Sequence, residues 1–308
     1  MRFLITGATS FIGSYLLERL LSEGHFVLAL TSSPTKLNLT SDLLSVHQTY
    51  RDDPLLYPSL LYSVDHIIHL SSPPSSSLPS TTAPSFYDAI SYTNKLITAC
   101  LDHPIKSFIY PSSVNIYSNV PCGTYTTDSP LLASSPYSSL KTTLESRIAL
   151  SPLPSTILRL SNIFGLSTLE SLQASPLFIT DIVRQAISKR SIELYSNALQ
   201  KRDFLPISRL YKIITILTSS QTPPSSPTST VYNVTSSKSY TLLKVAEIVS
   251  QLYYEFSGYQ CPIYHRTPLE PTPSFSYSSS FPAYLSCSAD ELHSLLHSLV
   301  SLFYQNCP

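Results

Sequence analysis

Short apolar runs along this chain alternate with stretches whose apolar residues recur every three or four positions. MRFLIT opens as a run of strand type, and SYLLERLLSEG then places its leucines at helical spacing until Gly24 closes the pattern. HFVLAL at 25–30 reads as the next strand, so residues 1–30 predict a strand, a tight turn, a helix and a second strand. Further strand-type runs lie in VDHIIHLSS at 64–72, FIYPSSVNIYS at 108–118 and LRLSNIFG at 158–165, with the helical patterns SFYDAISYTNKLITACL and SPYSSLKTTLESRIAL between them. This alternation predicts an α/β domain over 1–165 built on a doubly wound parallel sheet. The helix PLFITDIVRQAISKR, the segment IELYSNALQKRDFLPIS at 192–208 and the stretch 241–306 predict a smaller α/β domain over 166–308. YTLLK at Tyr240 to Lys244 reads as the start of an amphipathic surface helix. The Ser/Pro-rich segment 71–85 reads as a surface loop or as a lid, and SSQTPPSSPTST at 219–230 as a connecting loop.

Composition narrows the function. The chain has 57 serines, 6 glycines and no tryptophan, against 19 basic and 19 acidic residues, so neutral polar groups stand where most soluble enzymes carry charge. Hydrophobic residues make up 43%, enough to bury a core. A balanced charge gives no basic footprint for nucleic acid, and a small-molecule partner is expected. No apolar run reaches the roughly 18 residues of a membrane span, and MRFLIT lacks the longer core of a secretory signal. The five cysteines, Cys100, Cys122, Cys261, Cys287 and Cys307, are odd in number and form no Cys-x-x-Cys pair, which suits reduced thiols in a cytoplasm. No metal site is expected. His66 and His69 point to opposite faces of a strand, and the helical pair His293 and His297 has no third ligand in view.

Two constellations carry chemistry. Between the first strand and helix lie Gly7, Ser10 and Gly13, with Phe11 and Ile12 at the helix start. Such a turn brings backbone N–H groups and the positive helix end up to a pyrophosphate, in a Rossmann-type fold. Ser10 stands where the middle glycine of that pattern is usual, and is small enough to keep the cradle. The second is Tyr137 and Lys141 in YSSLK, 24 residues after Ser113. With 21 tyrosines the Tyr-x-x-x-Lys spacing alone is uninformative, since about 0.6 matches are expected by chance. On a helix, however, residues four apart share a face, so the ammonium reaches the region of the phenol and favours phenolate. Ser113, at a strand end, would hold the substrate oxygen as its proton leaves.

These motifs together resemble the extended short-chain dehydrogenase/reductase family, in its NAD-dependent epimerase/dehydratase group. The resemblance covers TGATSFIG, VDHIIHLSS, FIYPSSVNIYS, YSSLK, LRLSNIFG, the segment ending in Arg-Asp-Phe, and VYNVTSSKSYTLLKVAEIV at 231–249. It implies Ser113, Tyr137 and Lys141 as catalytic residues. It implies a nicotinamide dinucleotide held by Gly7, Ser10, Phe11, Ile12, Gly13, by Thr31, Ser32, Ser33 and Lys36 after the second strand, by Asp52 near the adenine, and by Leu70, Ser71 and Ser72. Asn162 would face a nucleotide sugar and Arg202 its diphosphate. The smaller domain would be substrate-binding, with part of 205–240 returning to the cofactor domain, and two helices from each subunit would offer a homodimer interface.

The departures sharpen the reading. Ser113 is followed by Val114 and Asn115, where the 4,6-dehydratases carry an acidic pair and the decarboxylases a glutamate, so elimination of water has no evident acid or base. A 4-epimerase is the leading expectation, an NADPH-dependent 4-ketoreductase the alternative, and a non-catalytic dinucleotide sensor a second alternative. Reduction of a ketone other than a sugar is disfavoured by Arg202 and Asn162. Thr31, Ser32, Ser33 and Lys36 include no carboxylate to repel a 2′-phosphate, which leaves NAD and NADP both open. Ala89 falls where many members have asparagine, and Ser196-Asn197-Ala198 replaces a glycine-containing turn.

Overall fold

A computed structural model of the chain describes residues 1–49, 60–117, 123–219, 229–271, 275–282 and 288–306. In chain order its elements begin with β1 (Arg2–Thr6), α1 (Phe11–Ser22), β2 (Phe26–Thr31), β3 (Leu44–Gln48), β4 (His66–His69), α2 (Pro84–Cys100) and β5 (Ser107–Ser113). There follow β6 (Gly123–Tyr125), α3 (Pro136–Ala149), β7 (Ser155–Leu160), β8 (Asn162–Phe164), α4 (Leu169–Ala174), α5 (Phe178–Lys189), β9 (Ile192–Leu194) and β10 (Lys201–Pro206). The last are α6 (Ile207–Ser219), β11 (Thr230–Val234), β12 (Ser239–Thr241), α7 (Leu242–Ser257), β13 (Ile263–His265), β14 (Phe275–Tyr277) and α8 (Ala289–Gln305). The chain divides into two units, one of Met1–Asn119, Thr127–Leu160 and Lys212–Tyr232, the other of Val120–Thr126, Ser161–Tyr211 and Asn233–Pro308.

The first unit is the doubly wound α/β sheet that the alternation predicts. Its strands lie in the order β11-β7-β5-β4-β1-β2-β3, and the five pairings from β7 to β3 are parallel. Chain order reverses between β1 and β4, so the carboxyl ends of those strands open the crevice where such sheets bind ligands. Side chains alternate across the sheet. Leu4, Leu30, Ile67, Phe108, Tyr110 and Ile157 face a core completed by Phe86 and Leu96 of α2 and Leu140, Leu144 and Ile148 of α3. Each aliphatic or aromatic side chain so buried contributes about 1.5–3 kcal/mol. The Ser/Pro-rich segment before α2 is pinned to this core by Leu78, and the Ser85 hydroxyl donates to the Ser77 carbonyl.

The second unit holds a three-stranded sheet, β12-β10-β8, and the parallel pairs β9·β13 and β6·β14, with α5, α7 and α8 packed on one another. Helix α5 buries Ile179, Ile182 and Val183, α7 buries Val245 and Val249, and α8 buries Leu292, Leu296 and Leu299. One sequence expectation needs correction here. Tyr240 and Lys244 do not share a helix: Tyr240 lies in β12, registered against Arg202 of β10, and Thr241 caps α7, which starts at Leu242. Strand pairing with β10 claims the tyrosine before the helical pattern begins, and the threonine side chain then ends the strand by accepting from Lys244 N.

The turn between β1 and α1 tolerates no added bulk. Gly7 has φ +67°, and a Cβ there would meet the Leu70 carbonyl carbon and Ser71 nitrogen at 3.1 Å. A Cβ at Gly13 would stand 2.4 Å from the Gly7 carbonyl oxygen and 2.9 Å from Ala8 backbone atoms. Gly13→Ala is therefore expected to push α1 off the turn and lower unfolding free energy by about 1–3 kcal/mol, measured as the urea midpoint.

Candidate active site

Three loop segments meet at the crevice. The β1–α1 turn is fixed by Gly7 N donating to the Leu30 carbonyl at 2.9 Å, and Leu70 N reaches the Thr6 carbonyl at 3.2 Å across the β1–β4 gap. Between them lies a cavity of about 280 Å³ lined by Gly7, Thr9 and Ser10, by Thr31 and Ser32 after β2, by Leu70 to Pro73 after β4, and by Ser85, Asp88 and Ala89 of α2. Of the residues expected to hold a dinucleotide, Gly7, Ser10, Thr31, Ser32, Leu70, Ser71 and Ser72 thus converge. Phe11 and Gly13 are buried behind the turn, Ile12 is half-buried, and Ser33 and Lys36 lie beyond the lining, Lys36 exposed. Asp52 lies outside the described residues.

Ser10 does more at this turn than remain small. At φ −72° and ψ 166° its backbone needs no glycine, and its hydroxyl oxygen accepts from Gly13 N at 3.1 Å, capping α1. The serine replacement therefore stabilises the helix end that faces the cavity. Thr31 is buried, and its hydroxyl is bonded to that of Thr9 at 2.9 Å and accepts from Ser33 N at 3.1 Å. Ser32, by contrast, is exposed at the rim. Asp88 sits one turn from Tyr92, whose ring stacks on His69 of β4, so this carboxylate belongs to the β4 side of the cavity.

Under the crevice runs a hydrogen-bonded chain that sequence reading missed. The Thr6 hydroxyl accepts from Leu70 N and Ser71 N, each at 3.1 Å, and bonds His69 Nδ1 at 2.8 Å. His69 Nε2 bonds the Thr93 hydroxyl at 2.9 Å, which donates to the Ala89 carbonyl at 2.8 Å. The two N–H groups oblige Thr6 to give its proton to Nδ1, so His69 is neutral with its proton on Nε2. Burial, helped by the Lys141 charge, pushes its pKa down to about 3. His66, facing the other side of β4, bonds Ser107 at 2.8 Å and is pushed down to about 4, mainly by burial. The odd spacing of the two histidines in a strand was readable; the partners came from β1 and α2, far away in sequence.

Ser113, Tyr137 and Lys141 also come together, at the carboxyl end of β5 and the start of α3. Ser135 caps α3 with a reciprocal Ser138 box, each side chain bonding the other's N–H, at 3.1 and 2.9 Å. This sets Tyr137 and Lys141 on the inward face one turn apart. Lys141 is buried, donates to the Pro111 carbonyl at 3.1 Å, and lies 4.9 Å from the Tyr110 ring centre and 5.7 Å from that of Tyr137. Burial lowers its pKa to about 8, against a nearby Glu145 that raises it. The Tyr137 phenol is held above its ordinary range by burial, and a hydrogen bond with Ser113 pulls it partly back. The protein alone thus keeps the phenol protonated, and Lys141 spends its nearest contact on a backbone carbonyl. Ser113 Oγ also accepts from Asn115 N at 3.2 Å; Val114 is buried, and Asn115 is exposed.

The second unit holds Asn162 and Arg202. Asn162 Nδ2 donates to the Asp203 carbonyl at 3.0 Å. Arg202 reaches Gln200 Oε1 at 3.3 Å and lies 5.9 Å from the Phe178 ring centre, and no carboxylate among the described residues pairs with it. Burial lowers its pKa, with Tyr277 acting the other way. Its sequence neighbour Asp203 points to the opposite face of β10, where it accepts from the Ser161 hydroxyl at 2.5 Å and Ser236 N at 2.8 Å.

Comparison with known proteins agrees with the fold and identifies the family. The family model described as the NAD dependent epimerase/dehydratase family matches residues 3–235. A Bacillus subtilis (strain 168) protein described as an uncharacterized UDP-glucose epimerase is 29% identical over 232 residues, 70% of this chain and 72% of the relative. A dTDP-glucose 4,6-dehydratase of Streptomyces antibioticus is 26% identical over 225 residues, 67% of this chain and 65% of the relative. The solved structure of the Thermotoga maritima UDP-glucose 4-epimerase with UDP-glucose aligns over 100% of both chains with TM-score 0.81 at 17% identity. The nicotinamide dinucleotide expected from the sequence is thus the cofactor type of the family.

The buried histidine gives a pH response of known sign. His69 has a folded pKa near 3 against an ordinary 6.5, so the unfolded chain binds the extra proton and the stabilisation is complete above pH 6.5 and lost as pH falls towards 3. Unfolding free energy should drop by up to about 1.4 kcal/mol per pH unit across that window for this group. His69→Gln is expected to be less stable at pH 7 and flatter below pH 6.5, measured by urea titration at a series of pH values.

Proposed function

This chain belongs to the NAD dependent epimerase/dehydratase family, and within it we propose a nucleotide-sugar 4-epimerase that works by reversible oxidation of a sugar carbinol. The observation that supports this most is the grouping of Ser113, Tyr137 and Lys141 at the carboxyl end of β5, next to β4 and two strands from the glycine turn that follows β1. A cavity floored by Gly7, beside the capped end of α1, fits a pyrophosphate. Gly7, Ser10, Phe11, Ile12 and Gly13 would hold it, with Leu70, Ser71 and Ser72 beyond. When bound, NAD or NADP would supply the two-electron chemistry of the reversible carbinol oxidation.

The chain's own residues manage the proton. Tyr137 takes it from the carbinol oxygen on oxidation and gives it back on reduction, the Ser113 hydroxyl sharing the hydrogen bond. Lys141, at a pKa of about 8, is mostly charged at neutral pH and supports the phenolate during transfer. Arg202 takes the diphosphate and Asn162 the sugar nucleotide. A half-buried guanidinium, with a neutral amide and a ring for company, is suited to an anion that arrives with the substrate. Val114 and Asn115 offer no carboxyl group to eliminate water, which separates this reading from the dehydratase relative. The hydroxyls of Ser32 and its neighbours favour a second reading, an NADPH-dependent 4-ketoreductase.

Cofactor released on denaturing the purified protein, with turnover of a panel of nucleotide sugars, tests the proposal. Retained NAD and interconversion of C4 epimers are expected. Empty protein stabilised by NADPH and reducing a 4-keto sugar selects the second reading, a 4-keto-6-deoxy product sinks both, and binding without turnover on any sugar marks a sensor. Tyr137→Phe should lose turnover by about 10²–10⁴-fold while still binding cofactor. Arg202→Ala should raise KM for the nucleotide sugar by about tenfold or more with little change in kcat.

A further inference from the structure

One inward face of α3 carries Tyr137, Lys141 and Glu145 at four-residue intervals, and the third of these has no part in the chemistry above. Glu145 is 5% exposed and Arg159 of β7 also 5%. Arg159 grips the carboxylate as a fork, with Nε at 3.3 Å from Oε1 and 3.2 Å from Oε2, and Nη2 at 2.9 Å from Oε2. Its remaining nitrogen, Nη1, donates to the Tyr117 phenol at 3.0 Å and the Thr127 carbonyl at 2.9 Å, and the guanidinium lies 5.2 Å from the Tyr117 ring centre. One guanidinium therefore ties α3 to β7 and to the segment that follows Ser113.

We propose that Glu145 and Arg159 are a buried positioning pair, which fixes the rotation of α3 and hence where Lys141 and Tyr137 are presented to Ser113. A bidentate fork restrains a helix about its axis in a way that a single contact or an apolar patch does not. A buried ion pair is also near break-even for stability against apolar side chains of similar volume, so stability alone does not account for it. Among the described residues the groups facing Lys141 are few: Tyr137 and Glu145 on its own helix, Tyr110 and the Pro111 carbonyl on β5, and His69 on β4, which is neutral. Glu145 is the one anion among them. Arg159, held on its far side, keeps that carboxylate directed along the helix.

Glu145→Gln preserves shape and removes the charge, and Glu145→Leu with Arg159→Met removes the pair while keeping volume. In both, Lys141 should titrate lower by about one pH unit or more, read from ¹³C-labelled lysine Cε resonances with Lys141→Met as the assignment control. Only the turnover arm rests on the epimerase reading. With an active substrate, kcat should fall about 10- to 100-fold, KM for the nucleotide sugar should stay within about twofold, and the alkaline limb of the pH profile should move down with Lys141. A Lys141 titration unmoved in the folded variants overturns the proposal, whether or not a substrate has been found. Loss of cooperative folding in both variants also overturns it, because the pair would then be a stability element.

Discussion

The first unit is organised around a turn so tight that residue 13 has no room for a side chain, since a Cβ there would stand 2.4 Å from the Gly7 carbonyl oxygen. That approach sets the angle at which α1 leaves β1, and Gly7, at φ +67°, passes the head of β4 so closely that an added Cβ would meet Leu70 and Ser71 backbone atoms at 3.1 Å. The Thr6 hydroxyl closes the same seam from below by accepting from both of those backbone amides. The cavity exists because the β1 and β4 ends are drawn together here while the strand order reverses. In a chain with only 6 glycines, two of them are committed to this one place.

Against that fixed edge, α3 carries the groups proposed to react, and its electrostatics are those of a dry interior. Lys141 is lowered to about 8 and Tyr137 raised, both chiefly by burial. The two shifts have one cause and oppose charge formation from opposite directions, so the resting pair at neutral pH is an ammonium beside a protonated phenol and not the ammonium–phenolate pair that the Tyr-x-x-x-Lys spacing alone suggests. Activation of the phenol in the proposed reaction must then come from the positive charge of the bound nicotinamide and the ordering of Lys141, which is why helix placement matters more than proximity in sequence.

Much of this architecture was legible because periodicity and turn chemistry are local. MRFLIT, the glycine turn and the following helix could be placed from spacing, and so could Ser113 ahead of Tyr137 and Lys141. What was not legible came from partners far apart in the chain. Tyr240 repeats the Tyr-x-x-x-Lys spacing with Lys244, but pairing with β10 takes it out of the helix. Arg202 and Asp203 are adjacent and opposite in charge, yet strand alternation sends them to opposite faces. The His69 chain depends on Thr6 and Thr93, and the fork at Glu145 on Arg159, pairings that no local pattern announces. Ser10 read as a mere tolerated substitution because its capping bond to Gly13 N becomes apparent only with the backbone angles in hand.

The serine-rich composition bears on the same site. Helix ends that other proteins dress with charge are capped here by Ser10, Ser135, Thr168, Thr241 and Ser288, and hydroxyls along α3, those of Thr142, Thr143 and Ser146, return to carbonyls one turn back. Such bonds satisfy polar groups without adding a field, whereas each extra ion would act over about a Debye length. With 19 positive and 19 negative residues spread over 308, Lys141, Glu145 and Arg159 are among the few buried charged side chains, and the Tyr137 phenol is shifted by burial and by its hydrogen bond with Ser113. In a chain so poor in charge, the field at Lys141 comes chiefly from Glu145, and that carboxylate is the one Arg159 holds.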